Sequence, residues 1–157
     1  MPKSTNQLET YIQLNVPFKS ETYKGVVGVI LLHSIIAQDL EKHLKQFGVT
    51  YQQFNILRIL KGQHPTPTRL SLLKERMINK QSDVSRLVDR LYAQKLVHKK
   101  NSINNKRVLH IELSDKGLQL VNSIDITDPG FMSILDRLSE KELVSFNNII
   151  GKLVQTL

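Results

Sequence analysis

Ser82, Ser85, Arg86 and Arg90 lie in the stretch QSDVSRLVDRLYAQ (81–94). On a helix at 100° per residue these two hydroxyls and two guanidinium groups gather on one side, and Val84, Leu87, Val88 and Leu91 on the other. A guanidinium fork can donate in pairs to a guanine edge or straddle phosphates, and short hydroxyls suit either partner. Lys80 and Gln81 stand just ahead, at the helix N-terminus, where base-contacting residues usually sit and phosphate is favoured. A helix that enters the DNA major groove needs both faces, one kept for its own domain and one offered outward. A solvated helix would carry the same residues, with Arg86 paired to Asp83 at i−3 and Asp89 at i+3. Such pairs contribute only about 0.2–0.5 kcal/mol each, and the helix alone does not choose between the two readings.

The residues that follow bear on the choice. After position 95 the hydrophobic period changes from 3.6 to about 2. LVHKK (96–100) and RVLHIEL (107–113) read as short strands, the second with Leu109, Ile111 and Leu113 inward and Val108, His110 and Glu112 outward. The polar turn formers between them predict a β-hairpin whose tip carries Asn104, Asn105, Lys106 and Arg107. A helix-turn-helix followed by such a wing is a two-part grip on DNA, because a wing arginine, here Arg107, can enter the narrow, electronegative minor groove. Lys99 and Lys100 at the wing base either reach phosphate or end a solvated strand.

The charge is distributed accordingly. The 157-residue chain has a formal net charge of +8. Residues 61–110 hold twelve Lys/Arg against three acids, while the rest of the chain holds ten against eleven. The excess is confined to the third that carries the helix and wing, the footprint of a polyanion binder. Cysteine is absent, which leaves no disulfide framework or thiol switch. No run of eighteen apolar residues occurs, because His33, Ser34 and Gln38 interrupt the stretch 25–40, so no membrane span is expected. The polar N-terminus lacks a signal-peptide core, and a cytoplasmic location is the expectation.

The elements that would position the grip follow from periodicity and caps. Residues 1–18 read as an arm that packs on something, given Leu8, Tyr11, Ile12, Leu14, Val16 and Phe18. A helix is predicted over 20–47, with Ser20 as N-cap and Gly48 as stop. Its apolar residues cover so much of the circumference that a second subunit would serve as cover. A helix over 50–61 with Thr50 as cap, a loop GQHPTPT and a helix over 68–78 lead to a break at 79–81 and the helix first described. Ser114 caps a helix beyond the wing, Asp128-Pro129 marks the start of a segment over 129–138, and Ser139 with Glu142 forms a capping box for a last helix to about 155. The expected fold class is mainly α with a small β-hairpin wing. It comprises a winged helix-turn-helix over 50–113, flanked by dimerisation helices over 20–47 and 115–157, in one domain of 1–157.

SDVSRLVDRLYAQKLVHKK followed by NNKRVLHIELSDKG resembles the multiple antibiotic resistance regulator (MarR) family of winged helix-turn-helix repressors. The family pattern is S-x-V-[ST]-R-L-V-D-R-L, then G-L-V, a wing with D-[RK]-R, and [ST]-x-K-G. The likeness is strong over 66–120 and extends in helix order over 20–65 and 121–157. It puts Ser82, Ser85, Arg86 and Arg90 on recognition-helix positions and Arg107 on the wing arginine. Two residues depart from the pattern. Asn105 replaces the aspartate that braces that arginine, and Lys95 replaces the glycine suited to a left-handed helix end. The resemblance implies a homodimeric repressor on double-stranded DNA with a pseudo-palindromic operator, released by a small aromatic or hydrophobic effector. His33 and Tyr51 are the candidate effector pocket, although a histidine on an apolar helix is more often a satisfied core residue.

The five histidines include no pair at i, i+3 or i+4, and neither a glycine-rich phosphate loop nor a nucleophile elbow occurs. No metal, cofactor or catalytic residue is expected, and the chain does not read as an enzyme. The alternatives to a DNA-binding regulator are a protein-interaction module on a winged-helix scaffold, docking an acidic partner, and a small-ligand carrier.

Overall fold

In the computed structural model, which describes residues 7–101, 108–124 and 134–155, the chain divides into two units, one ending at Asp39 and one beginning at Leu40. The first holds α1 (Gln7–Tyr11) and most of α2 (Glu21–Lys45). Ser20 starts α2 as expected, its hydroxyl accepting from the Tyr23 N–H at 3.1 Å. That bond satisfies a donor the first turn would otherwise orphan. Leu8 lies over Gly28, its Cδ2 3.6 Å from where a Cβ would stand, and Phe18 meets Tyr23 edge-on with ring centroids 5.7 Å apart. The arm thus packs through Leu8, Ile12 and Phe18, while Tyr11, Leu14 and Val16 stay exposed.

Along α2 only Leu44 is buried; Tyr23, Val26, Val29 and Ile30 stand more than half exposed. The helix is long enough to cross a bilayer, and its most apolar stretch averages a mean hydropathy of 1.2. The interruptions at His33, Ser34 and Gln38, on which the sequence argument against a span rested, are averaged away in that value. A helix apolar on several sides needs cover from lipid or from protein. The last turn of α2 has the second kind, because Leu44 is fully buried in the core of the second unit.

Gly48 closes α2 in the left-handed region at φ 69°, its N–H donating to the Lys45 carbonyl at 3.1 Å. Thr50 and Gln53 then form a capping box on α3 (Tyr51–Lys61). This helix buries Phe54, Leu57 and Leu60 as its periodicity predicts, and Gln53, Asn55 and Ile56 as well. It is the centre of the unit. Around it pack α4 (Leu70–Arg76), α5 (Val84–Ala93), α6 (Asp115–Ser123) and β3 (Leu109–Leu113), and β2 (Val97–Asn101) packs on α5 and β3. Leu73, Met77, Val84, Val88, Leu91, Val97, Ile111 and Val121 belong to the same core.

The wing sheet has three strands where a hairpin was expected. Thr68 and Arg69 form β1, antiparallel to β3 through Thr68 opposite Ile111 and Arg69 opposite His110. The helix expected from 68 therefore begins at Leu70, and it stops at Arg76 because Met77 is extended. Two residues are too short to display a period of 2, which is why the strand reads as loop. β2 and β3 pair from Val97 opposite Leu113 to Asn101 opposite Leu109. Ile111 and Leu113 are buried and Leu109 half-buried, as the alternation predicts; His110 and Glu112 are half-buried rather than exposed.

Ser114 caps α6, accepting from the Gly117 N–H at 3.0 Å. Of the segment expected over 129–138, positions 129–133 lie outside the described residues and Leu135–Arg137 form a single 3-10 turn. Ser139 and Glu142 make the expected capping box on α7 (Glu140–Val154). No residue of α7 is buried, and Val144, Ile149, Ile150, Leu153 and Val154 are exposed.

Candidate nucleic-acid interface

The candidate recognition helix is α5. It begins at Val84 and not directly after the break at 79–81, because Asp83 is its N-cap and accepts from the Arg86 backbone N–H at 3.1 Å. Val84, Val88 and Leu91 are buried and Leu87 is half-buried, which leaves Ser85, Arg86, Asp89 and Arg90 exposed on the opposite side. Lys80, Gln81 and Ser82 belong to the turn between α4 and α5. Asn79 builds that turn, its side-chain oxygen accepting from the Gln81 N–H at 3.0 Å and its carbonyl from the Ser82 N–H at 3.2 Å. Lys80 donates its ammonium to the Glu75 carbonyl. The outward helix face expected to include Ser82 loses it. That residue precedes the cap, and its hydroxyl oxygen is buried without a hydrogen bond among the described residues. Ser85 is the hydroxyl left on the outer face.

The acids that could have neutralised Arg86 are both committed elsewhere. Asp83 caps the helix through the Arg86 main chain, and Asp89 is ion-paired to Lys99 of β2. Among the described residues neither Arg86 nor Arg90 has an ion-pair partner. The ion pairs from Asp83 and Asp89 to the Arg86 guanidinium that a solvated helix would carry do not form among the described residues. Lys99 and Lys100 at the wing base are not free strand ends: Lys99 also lies 5.0 Å from the Tyr92 ring centroid, and Lys100 pairs with Glu112 across the hairpin. Asn104, Asn105, Lys106 and Arg107, the expected wing tip, lie outside the described residues.

The C-terminal end of α5 is held by Lys95 and Ser114, which the sequence marks for other reasons, and by Gln53, Gln94 and Lys116, which it does not single out. Lys95 takes the left-handed conformation at φ 60°, so the helix ends as the glycine of the family pattern would end it, with the Leu96 N–H donating to the Leu91 carbonyl at 3.0 Å. Ser114 donates its hydroxyl to the Lys95 carbonyl at 2.7 Å, and Lys116 its ammonium to the Gln94 carbonyl at 3.1 Å. These occupy acceptors that a helix end otherwise leaves unsatisfied. The Gln94 side chain donates to the Gly48 carbonyl at 3.0 Å and accepts from Gln53 at 3.3 Å. The only sequence signal for this bracket is the S-x-K-G of residues 114–117. Its glycine has a steric reason, since a Cβ on Gly117 would stand 1.9 Å from the Leu96 carbonyl oxygen.

Of the two residues expected to form an effector pocket, His33 is exposed on α2 and Tyr51 is half-buried at the start of α3. His33 is not the core histidine that its apolar surroundings in sequence suggest.

The family model of the transcriptional regulators SarA/Rot matches residues 39–124, the span that contains α3 through α6. The chain belongs to the SarA/Rot family. It is 30% identical over 154 residues to the HTH-type transcriptional repressor MdtR of Bacillus subtilis, which covers 98% of this chain and 90% of that protein. Its fold is shared with the S. aureus MepR–DNA complex, at a TM-score of 0.72 and 20% identity over 90% of this chain and all of the other. A mutant MarR from E. coli complexed with operator DNA superposes at a TM-score of 0.76, with 16% identity over 88% of this chain and 99% of the other. At those identities the two structures carry the fold alone. This SarA/Rot member is thus a DNA-binding transcriptional regulator of the MarR/SarA winged-helix type, and its family is one of regulators rather than enzymes.

Proposed function

We propose that the protein is a cytoplasmic, homodimeric repressor that reads a pseudo-palindromic operator in double-stranded DNA and is released by a small-molecule effector. Ser85, Arg86 and Arg90 read the major groove, Lys80 and Gln81 position the helix entry against the phosphate backbone, and Arg107 with Asn104, Asn105 and Lys106 grips the minor groove. The observation that carries the reading is the outer face of α5: two guanidinium groups opposite a buried stripe, with both neighbouring acids engaged elsewhere. Cations unpaired among the described residues need break no ion pair to turn toward phosphate or a guanine edge. The dimer is supported by the exposed apolar side chains that concentrate on α2 and α7. Two such helices in a dimer would lie about 34 Å apart, one turn of duplex.

Effector release is supported by a groove of about 500 Å³ at the C-terminal end of α5, with Phe47, Leu96 and Leu120 as apolar walls and Lys116 and Gln94 as polar ones. A small aromatic or hydrophobic molecule there would act on the groups that hold the recognition helix. Selection of genomic fragments by the purified protein, followed by gel shifts, tests the reading. Arg86→Ala and Arg107→Ala should each weaken operator binding at least tenfold with the fold intact. Affinity should fall by about 10³ to 10⁵ between 50 and 200 mM salt if six to ten phosphates are engaged. Wild-type affinity in both variants, or a complex insensitive to salt, would refute it.

A further inference from the structure

Asp89 is an anomaly on a surface offered to a polyanion. Its carboxylate sits between Arg86 and Arg90 in sequence and 65% of its side chain is exposed, so by charge alone it should repel DNA. Its partner Lys99 is far less accessible, at 22%. The Lys99 ammonium is engaged twice by the same helix, by the Asp89 carboxylate and by the Tyr92 ring 5.0 Å from its centroid. Asp89 and Tyr92 are three residues apart on α5 and so face the same way. On the other side, β2 holds Lys99 in register opposite Ile111, which is fully buried, so the strand cannot slide to another position without exposing the core.

We propose that Asp89, Tyr92 and Lys99 form a strut that fixes the wing relative to the recognition helix, and that Asp89 is a positioning residue for specific DNA recognition. The inference rests on the DNA-binding reading above. Gln94, Lys95 and Leu96 alone connect the end of α5 to β2 along the chain. A tilt about that junction displaces every wing residue further the further it lies from it, and a grip that uses both grooves tolerates little of it. The strut gives the strand a second point of attachment to α5 on the side of the outer face. Lys99 therefore acts as a brace and not as a phosphate contact, with Asp89 supplying the charge that keeps it there. Exposed ion pairs add little to stability, so variants of these residues fold.

The two roles for Lys99 predict opposite signs for Asp89. If Lys99 were a phosphate contact, Asp89→Asn would free it and tighten binding. As a strut, the same variant weakens specific binding although it removes a negative charge from the DNA face. The test is gel-shift titration of full-length protein on its selected operator and on random-sequence duplex, with Asp89→Asn, Lys99→Met and the charge swap D89K/K99D. Asp89→Asn and Lys99→Met should each lose tenfold or more on the operator. Non-specific affinity should be unchanged or slightly higher in the first, and the salt slope of the second should remain that of wild type. The swap should recover most of the loss. Operator binding by Asp89→Asn equal to or tighter than wild type overturns the strut, as does a salt slope reduced by about one in Lys99→Met or a swap no better than its parents. A wild-type protein with no sequence preference would instead overturn the DNA reading itself. Selectivity lost in Arg86→Ala but kept in Asp89→Asn would remove the strut alone.

Discussion

Lys95 and Gly117 are two backbone positions of opposite kind, and each sets a testable cost. At Lys95 the chain needs a left-handed residue, and the sequence supplies one with a Cβ. A left-handed L-residue costs roughly 1–2 kcal/mol, and the Lys95 side chain is exposed, so little packing offsets that cost. Lys95→Gly should raise stability by about 1 kcal/mol, read as a higher urea midpoint at unchanged m-value. At Gly117 the constraint is space. A methyl group 1.9 Å from the Leu96 carbonyl oxygen meets backbone, which cannot rotate away as a side chain could. Gly117→Ala should lower stability by about 3 kcal/mol, the upper end of overpacking costs. An unchanged midpoint in either variant would refute that account. The two residues also mark what a sequence discloses at this scale. The glycine of S-x-K-G is visible as a pattern while its steric reason lies in a strand end twenty-one positions earlier. The left-handed Lys95 could not be read from residue type, because lysine carries no preference for it.

Helix starts were legible and helix partners were not. Ser20, Thr50, Ser114 and Ser139 each cap the helix that the sequence assigns to them, because a cap is a contact over two or three residues and needs no knowledge of the fold. Asp83 is the exception: the polar run 79–82 ahead of it offered earlier starts, and only the burial of Val84 fixes the first turn. The β1 pairing with β3, the Asp89–Lys99 pair and the Gln53–Gln94 bond join positions 41 to 43, 10 and 41 residues apart, and nothing in local periodicity encodes them. The local caps yield a prediction of their own at α7. The Ser139 hydroxyl, and then its backbone N–H, hold the Glu142 carboxyl below the ordinary glutamate range. A carboxylate with a depressed value in the folded chain contributes stability above its unfolded value, and that contribution is lost as pH falls through the folded one. The first turn of α7 should therefore loosen as the Glu142 carboxyl protonates on acidification. A carboxyl titration by NMR should show Glu142 below the ordinary glutamate range, and Ser139→Ala should raise it. An unchanged Glu142 titration in Ser139→Ala would refute the cap's influence.

At the scale of the whole molecule, charge and apolar exposure occupy different parts of the chain. The excess cations lie within 61–110, the span that contains α4, α5 and most of the wing. The exposed apolar side chains concentrate on α2 and α7. On α2 the positions Tyr23, Val26 and Ile30 recur at three- and four-residue spacing, as do Ile149, Ile150 and Leu153 on α7, so each set is a stripe and not a scatter. If the proposed dimer is held by these stripes, one buried carboxylate in either should dissociate it, because an unpaired charge desolvated at an interface costs several kcal/mol. Ile30→Glu and Ile149→Glu should each sediment as monomers at micromolar concentration. Operator affinity should then fall by about 10² to 10⁴, the advantage that linking two half-site contacts provides, while binding to a single half-site persists. Neither residue belongs to the core around α3, so slow amide exchange in α3 should survive in both variants and separate dissociation from unfolding. A wild-type protein that sediments as a monomer while binding its operator at full affinity would remove the dimer from the mechanism, leaving α5 and the wing to account for recognition alone.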